Sequence, residues 1–459
     1  MVRKRVHLLL FSLLLFGILW WWQSGLLSDF SVEQRWTLGL LAFAIYLWTV
    51  APLPIGASSI LLLACILAFQ LVQNPDEAFV GFSSTALYFI LILSLVSQAL
   101  VRAGVDQVFV RIILRLSKGG AKSILLGMPL LIMVMPIFLP SAVARFKIML
   151  PLIERMNTHY GFGAYSFFRK YSMYVIGMMN QKSTMVVFTG GGFTILAAQL
   201  LQDFAHVNLS WLDWFLRIAP PLWLSMILIS VIVWFYFKKT TSDEVILGHA
   251  REIESEEVLP EKFWVTMVPF VVMILCWMVV SQDFVPLILP PMLLVAYYAW
   301  PKIGWITNGL IRTYDWENFL LLGASFSLGI IIEANGTAQV LAEQLLQLLP
   351  VGAGDLTKIV FIGIFVFVLR FMFVVPSTAM IVIFPIVISY AEILGLSVTA
   401  LALLVVMIIG GVMILPIHSP TTYYAYETGV FTKKEQYTIG VITSVVIVSV
   451  AVLWAYFIW

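Results

Sequence analysis

Four short stretches of this chain set helix-breaking residues beside small hydroxyl side chains. They are Leu139-Pro140-Ser141-Ala142, Thr189-Gly190-Gly191-Gly192-Phe193-Thr194, Val375-Pro376-Ser377-Thr378 and Pro416-Ile417-His418-Ser419-Pro420-Thr421-Thr422. Each interrupts an apolar run. A broken helix exposes carbonyls that can hold a small cation, and N–H groups at a helix start that can hold an anion with help from the helix dipole. Serine and threonine hydroxyls serve either ion. The same residue types also kink and pack ordinary transmembrane helices. The stronger signal is therefore that the four stretches form two pairs: Ser141 answers Ser377, and Thr194 answers Thr422, at similar separations.

Cations inside apolar runs come next, because a buried charge is costly and marks function. Arg145, Lys147, Lys182 and Arg370 qualify, and all four favour a negative ligand. Arg145 follows Ser141 by one helical turn, so it is expected to contact an anion on the same face. The alternative is that Arg145 and Lys147 snorkel to the surface or pair with Glu154. Arg370 precedes its Pro-Ser corner by about two turns and reads as structural. His418, between Pro416 and Pro420, could bind substrate or carry a proton, or be a satisfied neutral histidine. The candidate substrate contacts are Ser141, Arg145, Thr194, Ser377, Thr378 and Thr422. The candidate cation sites are Ser141, Thr189, Gly190, Gly191, Ser377, Ser419 and Thr421.

The elements that must position these residues are set by composition. The 459 residues are 61% hydrophobic and 11% charged, against roughly 25% charged in a soluble domain. Apolar runs near the length of about 20 that spans a bilayer fall at 7–23, 36–52, 54–73, 84–103, 171–202, 216–237, 263–281, 284–300, 316–334, 397–418 and 437–459. The runs 123–153 and 357–394 carry the Pro-Ser corners near their middles and read as re-entrant hairpins. The expected fold is all-α and polytopic, with about eleven crossings plus two hairpins. Lys and Arg cluster where the cytoplasmic loops would be, from Arg3–Arg5 through Arg102–Lys122 to Lys433 and Lys434. The opposite side receives chiefly Arg35, Arg217 and Lys358, so the N-terminus is expected inside and the C-terminus outside. Net charge +2 is too small to suggest a nucleic-acid partner. Cys65 and Cys276, both in apolar runs, support neither a disulfide nor a metal site. No HExxH, GxSxG or Walker loop is present.

The polar segment 238–262 holds seven acidic and four basic residues and separates two halves, 36–237 and 263–459, with 1–35 preceding them. After Gly104 the amphipathic stretch is basic, whereas its counterpart after Gly336 is uncharged. Opposite orientations follow. Inverted repeats with broken helices at the midplane are the plan of many secondary transporters.

At LWTVAPLPIGASSILLL (47–63), LPSAVARFKIMLPLI (139–153), WENFLLLGASFSLGIIIEANG (316–336), VPSTAMIVIFPIV (375–387) and LPIHSPTTYYAYETGVFT (415–432) the chain resembles the divalent anion/sodium symporter (DASS) family, over roughly 36–459. The resemblance implies a transport domain holding elements of 123–202 and 357–436 and a scaffold from the remaining spans. It also implies elevator-type alternating access, usually a homodimer, a small anionic substrate such as a di- or tricarboxylate or inorganic divalent anion, and coupling to Na+ or exchange; a bacterial inner-membrane location is expected from the compactness of the chain alone. Family members typically carry Ser-Asn-Thr at each tip. Here Ser141 keeps the serine while Ala142 and Val143 stand for the Asn and Thr; Ser377 and Thr378 fall at the Asn and Thr of the second tip. Both asparagines are missing, so exchange or proton coupling is a rival to sodium, with Arg145 supplying the charge that sodium brings elsewhere. A same-fold carrier of protons or a lipid-linked anion, or an intramembrane enzyme or receptor on this scaffold, are the other readings.

Overall fold

The computed structural model describes residues 29–50, 53–117, 120–240, 261–280, 284–350, 352–371, 373 and 375–459, together with Leu15 and Gly17. The rest of the expected first span, and the body of the polar linker 238–262, lie outside the described residues. Every described element is helical.

In chain order the first elements are α1 (Val32–Val50), α2 (Ile55–Ala68), α3 (Thr85–Arg102), α4 (Val105–Ser117), α5 (Gly120–Phe138) and α6 (Ala142–His159). Then follow α7 (Phe167–Tyr174), α8 (Gly192–Ala205), α9 (Trp211–Thr240), α10 (Phe263–Val279), α11 (Leu289–Ala299) and α12 (Trp316–Ala334). The last are α13 (Thr337–Leu346), α14 (Asp355–Arg370), α15 (Pro376–Leu394), α16 (Val398–Gly411), α17 (Pro420–Glu427) and α18 (Lys433–Phe457). Expected bounds for 316–334 coincide with α12; most other spans shift by a few residues at their ends. Among the described residues six helices are long and apolar enough to cross a bilayer alone.

Two expected spans are not single helices. The stretch 171–202 runs from α7 into a π-helical turn (Val175–Met179), a short helix Asn180–Ser183 and two 3-10 turns, Thr184–Val186 and Phe188–Gly190, before α8 begins. The stretch 397–418 is helical only to Gly411, with Val412 extended and a 3-10 turn at Pro416–His418. Glycine, proline and hydroxyl residues at these points give the backbone local alternatives to the helix ladder. A helix the length of α16 covers only about 21 Å at 1.5 Å per residue, short of the roughly 30 Å hydrocarbon layer.

The core is built around α16. Every residue from Ala400 to Gly411 is buried, the pattern of a helix hydrophobic on all sides and surrounded by others. α8, α14, α15 and α18 pack against it. On the other side α12 crosses α2 and the 3-10 turn Val80–Ser83. That crossing is close because it is glycine on glycine: a Cβ on Gly81 would stand 2.2 Å from the Gly323 carbonyl oxygen, and the Gly81 N–H donates to Ser327 Oγ at 3.0 Å. The outward face of α10 presents Trp264, Val265, Val268 and Val272 unburied, a surface suited to lipid and not to water.

Candidate functional site

The first Pro-Ser corner separates α5 from α6. Ser141 caps α6, its hydroxyl oxygen accepting from Ala144 N at 3.2 Å. Asn180, in the broken stretch, reaches across and donates from Nδ2 to the Ala142 carbonyl at 2.8 Å. Arg145 is fully buried and closes the same contact. Its Nε donates to Asn180 Oδ1 at 2.6 Å, its Nη1 to the Leu139 carbonyl at 2.5 Å and its Nη2 to the Asn180 carbonyl at 3.1 Å. The guanidinium thus ties the corner to the unwound segment. Expected as an anion contact, it is instead surrounded by protein acceptors and does not line the adjoining cleft.

A second guanidinium does a similar job in the other half. Arg370, at the end of α14, donates from Nε to Ile409 O at 3.0 Å, from Nη1 to Phe373 O at 2.5 Å and from Nη2 to His418 O at 3.1 Å. It therefore bonds the corner and both sides of the break at 412–418. Arg145 lies after its corner and Arg370 before, so the two are alike in role and not in repeat position. His418 Nδ1 accepts from Ile414 N at 3.3 Å. Ser377 and Thr378 fall inside the first turn of α15, since Pro376 takes the first helical position; Thr378 Oγ1 is buried with no partner.

Ser419 caps α17, accepting from Thr422 N at 3.1 Å, and its hydroxyl lies 2.7 Å from Thr422 Oγ1. Thr421 Oγ1 donates to the Gly177 carbonyl at 2.8 Å, joining the second break to the π turn of the first. α17 comes close enough that a Cβ on Gly177 would lie 2.6 Å from Ala425 Cβ.

A cleft of about 330 Å³ opens where these parts meet. Pro140, Ser141, Ala142, Val143, Gln181, Thr184, Thr189, Gly191, Gly192, Phe193 and Pro420 line it, with Ser94, Ser97, Tyr314, Asp315 and Asn318 facing them. Three helices start at its wall: α6 at Ser141, α8 at Gly191 and α17 at Ser419–Pro420. Helix starts carry about half a positive charge and unpaired N–H groups, so the wall is built for an anion. Thr189 Oγ1 accepts from Trp211 Nε1 at 3.0 Å, leaving its own proton to donate. Gly190 is locked: a Cβ there would stand 2.2 Å from the Thr184 carbonyl oxygen. Thr194 donates back to Gly191 O at 2.8 Å and stays off the cleft.

Of the expected site residues, the structure brings Ser141, Thr189 and Gly191 together at this cleft. Ser377, Thr378, Ser419, Thr421, Thr422, Thr194, Gly190 and Arg145 do not line it. Asn180 was missed by the sequence reading. Its signal was the polar run Asn180-Gln181-Lys182-Ser183-Thr184 inside an apolar stretch.

The charge balance is one-sided. Arg145, Arg370 and Lys182 are each 0% exposed. Ion pairs between described residues lie elsewhere, at Arg169–Glu154, Lys170–Glu435 and Lys358–Asp355. Arg145 and Arg370 face carbonyls and an amide oxygen, Lys182 Nζ faces no acceptor, and the charged side chain on the cleft itself is the carboxylate of Asp315, which caps α12.

A helical membrane protein whose paired helix breaks enclose a polar cleft walled by helix starts has the construction of a secondary transporter. The chain matches the sodium:sulfate symporter transmembrane region over residues 4–459 and belongs to that family, the divalent anion/sodium symporters. It is 22% identical over 450 residues to an uncharacterized transporter of Haemophilus influenzae, covering 92% of this chain and 91% of that protein. It is 21% identical over 468 residues to a membrane protein of Cupriavidus necator, covering 94% and 88%. Among solved structures, its fold is similar to the YdaH transporter of Alcanivorax borkumensis, described as having an unusual topology, with TM-score 0.55 and 13% identity over 85% of this chain and 87% of that one. The chain is a multi-pass membrane protein of an anion-transporter family.

Proposed function

We propose that the protein carries a small divalent anion, inorganic or dicarboxylic, through the cleft beside Ser141 by elevator-type alternating access. The observation that carries this reading is the meeting of three helix starts at one cleft, backed by buried cations that have no carboxylate partner. N–H groups and hydroxyls there can replace an anion's water without burying a counter-charge. The size, about 330 Å³, suits a solute of several heavy atoms.

In this reading the moving unit comprises elements within 123–202 and 357–436, bound together by Arg145–Asn180, Arg370–His418 and Thr421–Gly177. The remaining helices form the scaffold, which in a homodimer holds still. The N-terminus is cytoplasmic and the C-terminus outside, in a bacterial inner membrane.

The test is purification, a melting-temperature screen against sulfate, succinate, citrate and phosphate, then uptake of radiolabelled hits into proteoliposomes. A true substrate raises the melting temperature by an amount that grows with the logarithm of its concentration over its dissociation constant and accumulates under an imposed gradient. Chemical conversion of the anion, or stabilisation by cations alone, would overturn the reading.

A further inference from the structure

We infer that Lys182 is a proton-binding site through which proton movement is coupled to anion movement, an inference that rests on the anion-transport reading above. Lys182 lies in the helix Asn180–Ser183, between the π turn and the first 3-10 turn. It is fully buried, and its Nζ has no hydrogen-bond partner. The two buried arginines differ, each satisfied by three acceptors.

No described carboxylate is bonded to Lys182, and the acidic side chain on the cleft beside it, Asp315, caps α12 on the facing wall. His418 is an electrostatic neighbour on the side of the second break. His418 accepts at Nδ1 from Ile414 N, so its proton sits on Nε2, which also has no partner. The π turn, Thr184–Val186 and α16 pack against this helix and carry no titratable side chain. α5 brings Lys122 alone. On α6, Arg145 is bonded to Asn180, and Glu154 is paired with Arg169. On α17 the carboxylate of Glu427 is exposed.

An ammonium so placed has two ways to escape being an uncompensated charge: an anion arrives, or the proton leaves. In the second, an N–H bond breaks, its electron pair stays on Nζ, and the proton passes to water in the cleft that the flanking Gln181 and Thr184 line. Anion and proton then favour each other's binding reciprocally. The empty carrier holds a neutral amine; the loaded one holds ammonium and anion together. The anion and the proton travel in the same direction, and no sodium ion is required.

The test has two arms. In the first, the melting temperature of the purified full chain is followed from pH 5 to 9 for wild type, Lys182→Met and Lys182→Gln. Removing a proton site makes the wild-type and variant curves diverge with pH; parallel curves overturn the proposal. In the second, sulfate and succinate uptake is measured in sodium-free, voltage-clamped proteoliposomes under an inward proton gradient. For one proton per anion, each pH unit raises the wild-type accumulation ratio by up to about tenfold, and Lys182→Met loses that response. Wild-type uptake that follows a sodium gradient and ignores the proton gradient overturns the proposal. Diverging melting curves with neither probe moving would keep Lys182 as a proton site and overturn the anion reading instead.

Discussion

The guanidinium of Arg145 grips Asn180 twice, through the side-chain oxygen at 2.6 Å and the main-chain oxygen at 3.1 Å, while Asn180 in turn donates to Ala142 O at 2.8 Å. The corner after α5 and the unwound segment before α8 are therefore one unit, held by charge-assisted bonds that lipid cannot replace. Arg145→Ala strands three acceptors, the oxygens of Leu139 and Asn180. A loss of about 1–3 kcal/mol is expected for each buried neutral acceptor left unpaired, seen as a lower melting temperature in detergent. Asn180→Ala should cost a similar amount, and the double variant much less than the sum. Additive losses would mean that the two residues act independently.

The unequal surroundings of the two corners give a second prediction. Ser141 lines the cleft, whereas Thr378 is 2% exposed and packed inside α15. In a background lacking the free Cys65 and Cys276, Ser141→Cys should react with an anionic, membrane-impermeant thiol reagent at least ten times faster than Thr378→Cys. A small divalent substrate should protect it. Equal rates would place both corners on one water-filled path.

Much of this was readable in the sequence, for identifiable reasons. α12 was placed to the residue because Asp315 before it and Asn335-Gly336 after it are strong stop signals around an unbroken apolar run. The breaks were found because Gly190-Gly191-Gly192 and Pro416–Pro420 have no other use in an apolar stretch. Which carbonyls those breaks would expose, and to whom, was not readable. Arg145 stands one turn from Ser141 as expected, yet it turns to Asn180, 35 positions along the chain, and sequence spacing carries no information about such a partner. Lys182 drew notice only as a charge in an apolar run; its lack of any acceptor is a property of the packed structure.

Lys170 and Glu435 supply a third prediction, about how the halves are joined. Lys170 Nζ lies 2.6 Å from Glu435 Oε1, with both side chains about 10% exposed, and Glu435 also accepts from the Thr432 N–H and hydroxyl at the start of α18. Lys170→Met leaves the carboxylate with its cap and without its cation, whereas Glu435→Gln removes the counter-charge and weakens the cap together. Both should lower the melting temperature, Glu435→Gln more, since the capping contribution of about 1 kcal/mol adds to the loss of the pair. The pairing Lys170→Met/Glu435→Gln should recover part of the loss. A double variant no better than the worse single one would show that the ion pair contributes nothing of its own.

Gly190 gives the last prediction, and it separates packing from chemistry. A Cβ at this position meets the Thr184 carbonyl oxygen at 2.2 Å and Pro136 Cβ at 3.3 Å. The first contact is backbone and cannot swing aside, so Gly190→Ala must shift the turn Phe188–Gly190 and, with it, Thr189 and Gly191 on the cleft wall. Thr189→Ala keeps that geometry and removes one hydroxyl, though it also orphans the Trp211 indole N–H. Transport should fall in both, by different routes. Thr189→Ala weakens apparent affinity by roughly tenfold, as for one hydrogen bond to a charged ligand of about 1.5 kcal/mol, with maximal rate largely kept. Gly190→Ala lowers maximal rate and melting temperature together. Initial-rate uptake across substrate concentration distinguishes them, and a Gly190→Ala protein with wild-type rate and melting would show that the wall tolerates a displaced backbone.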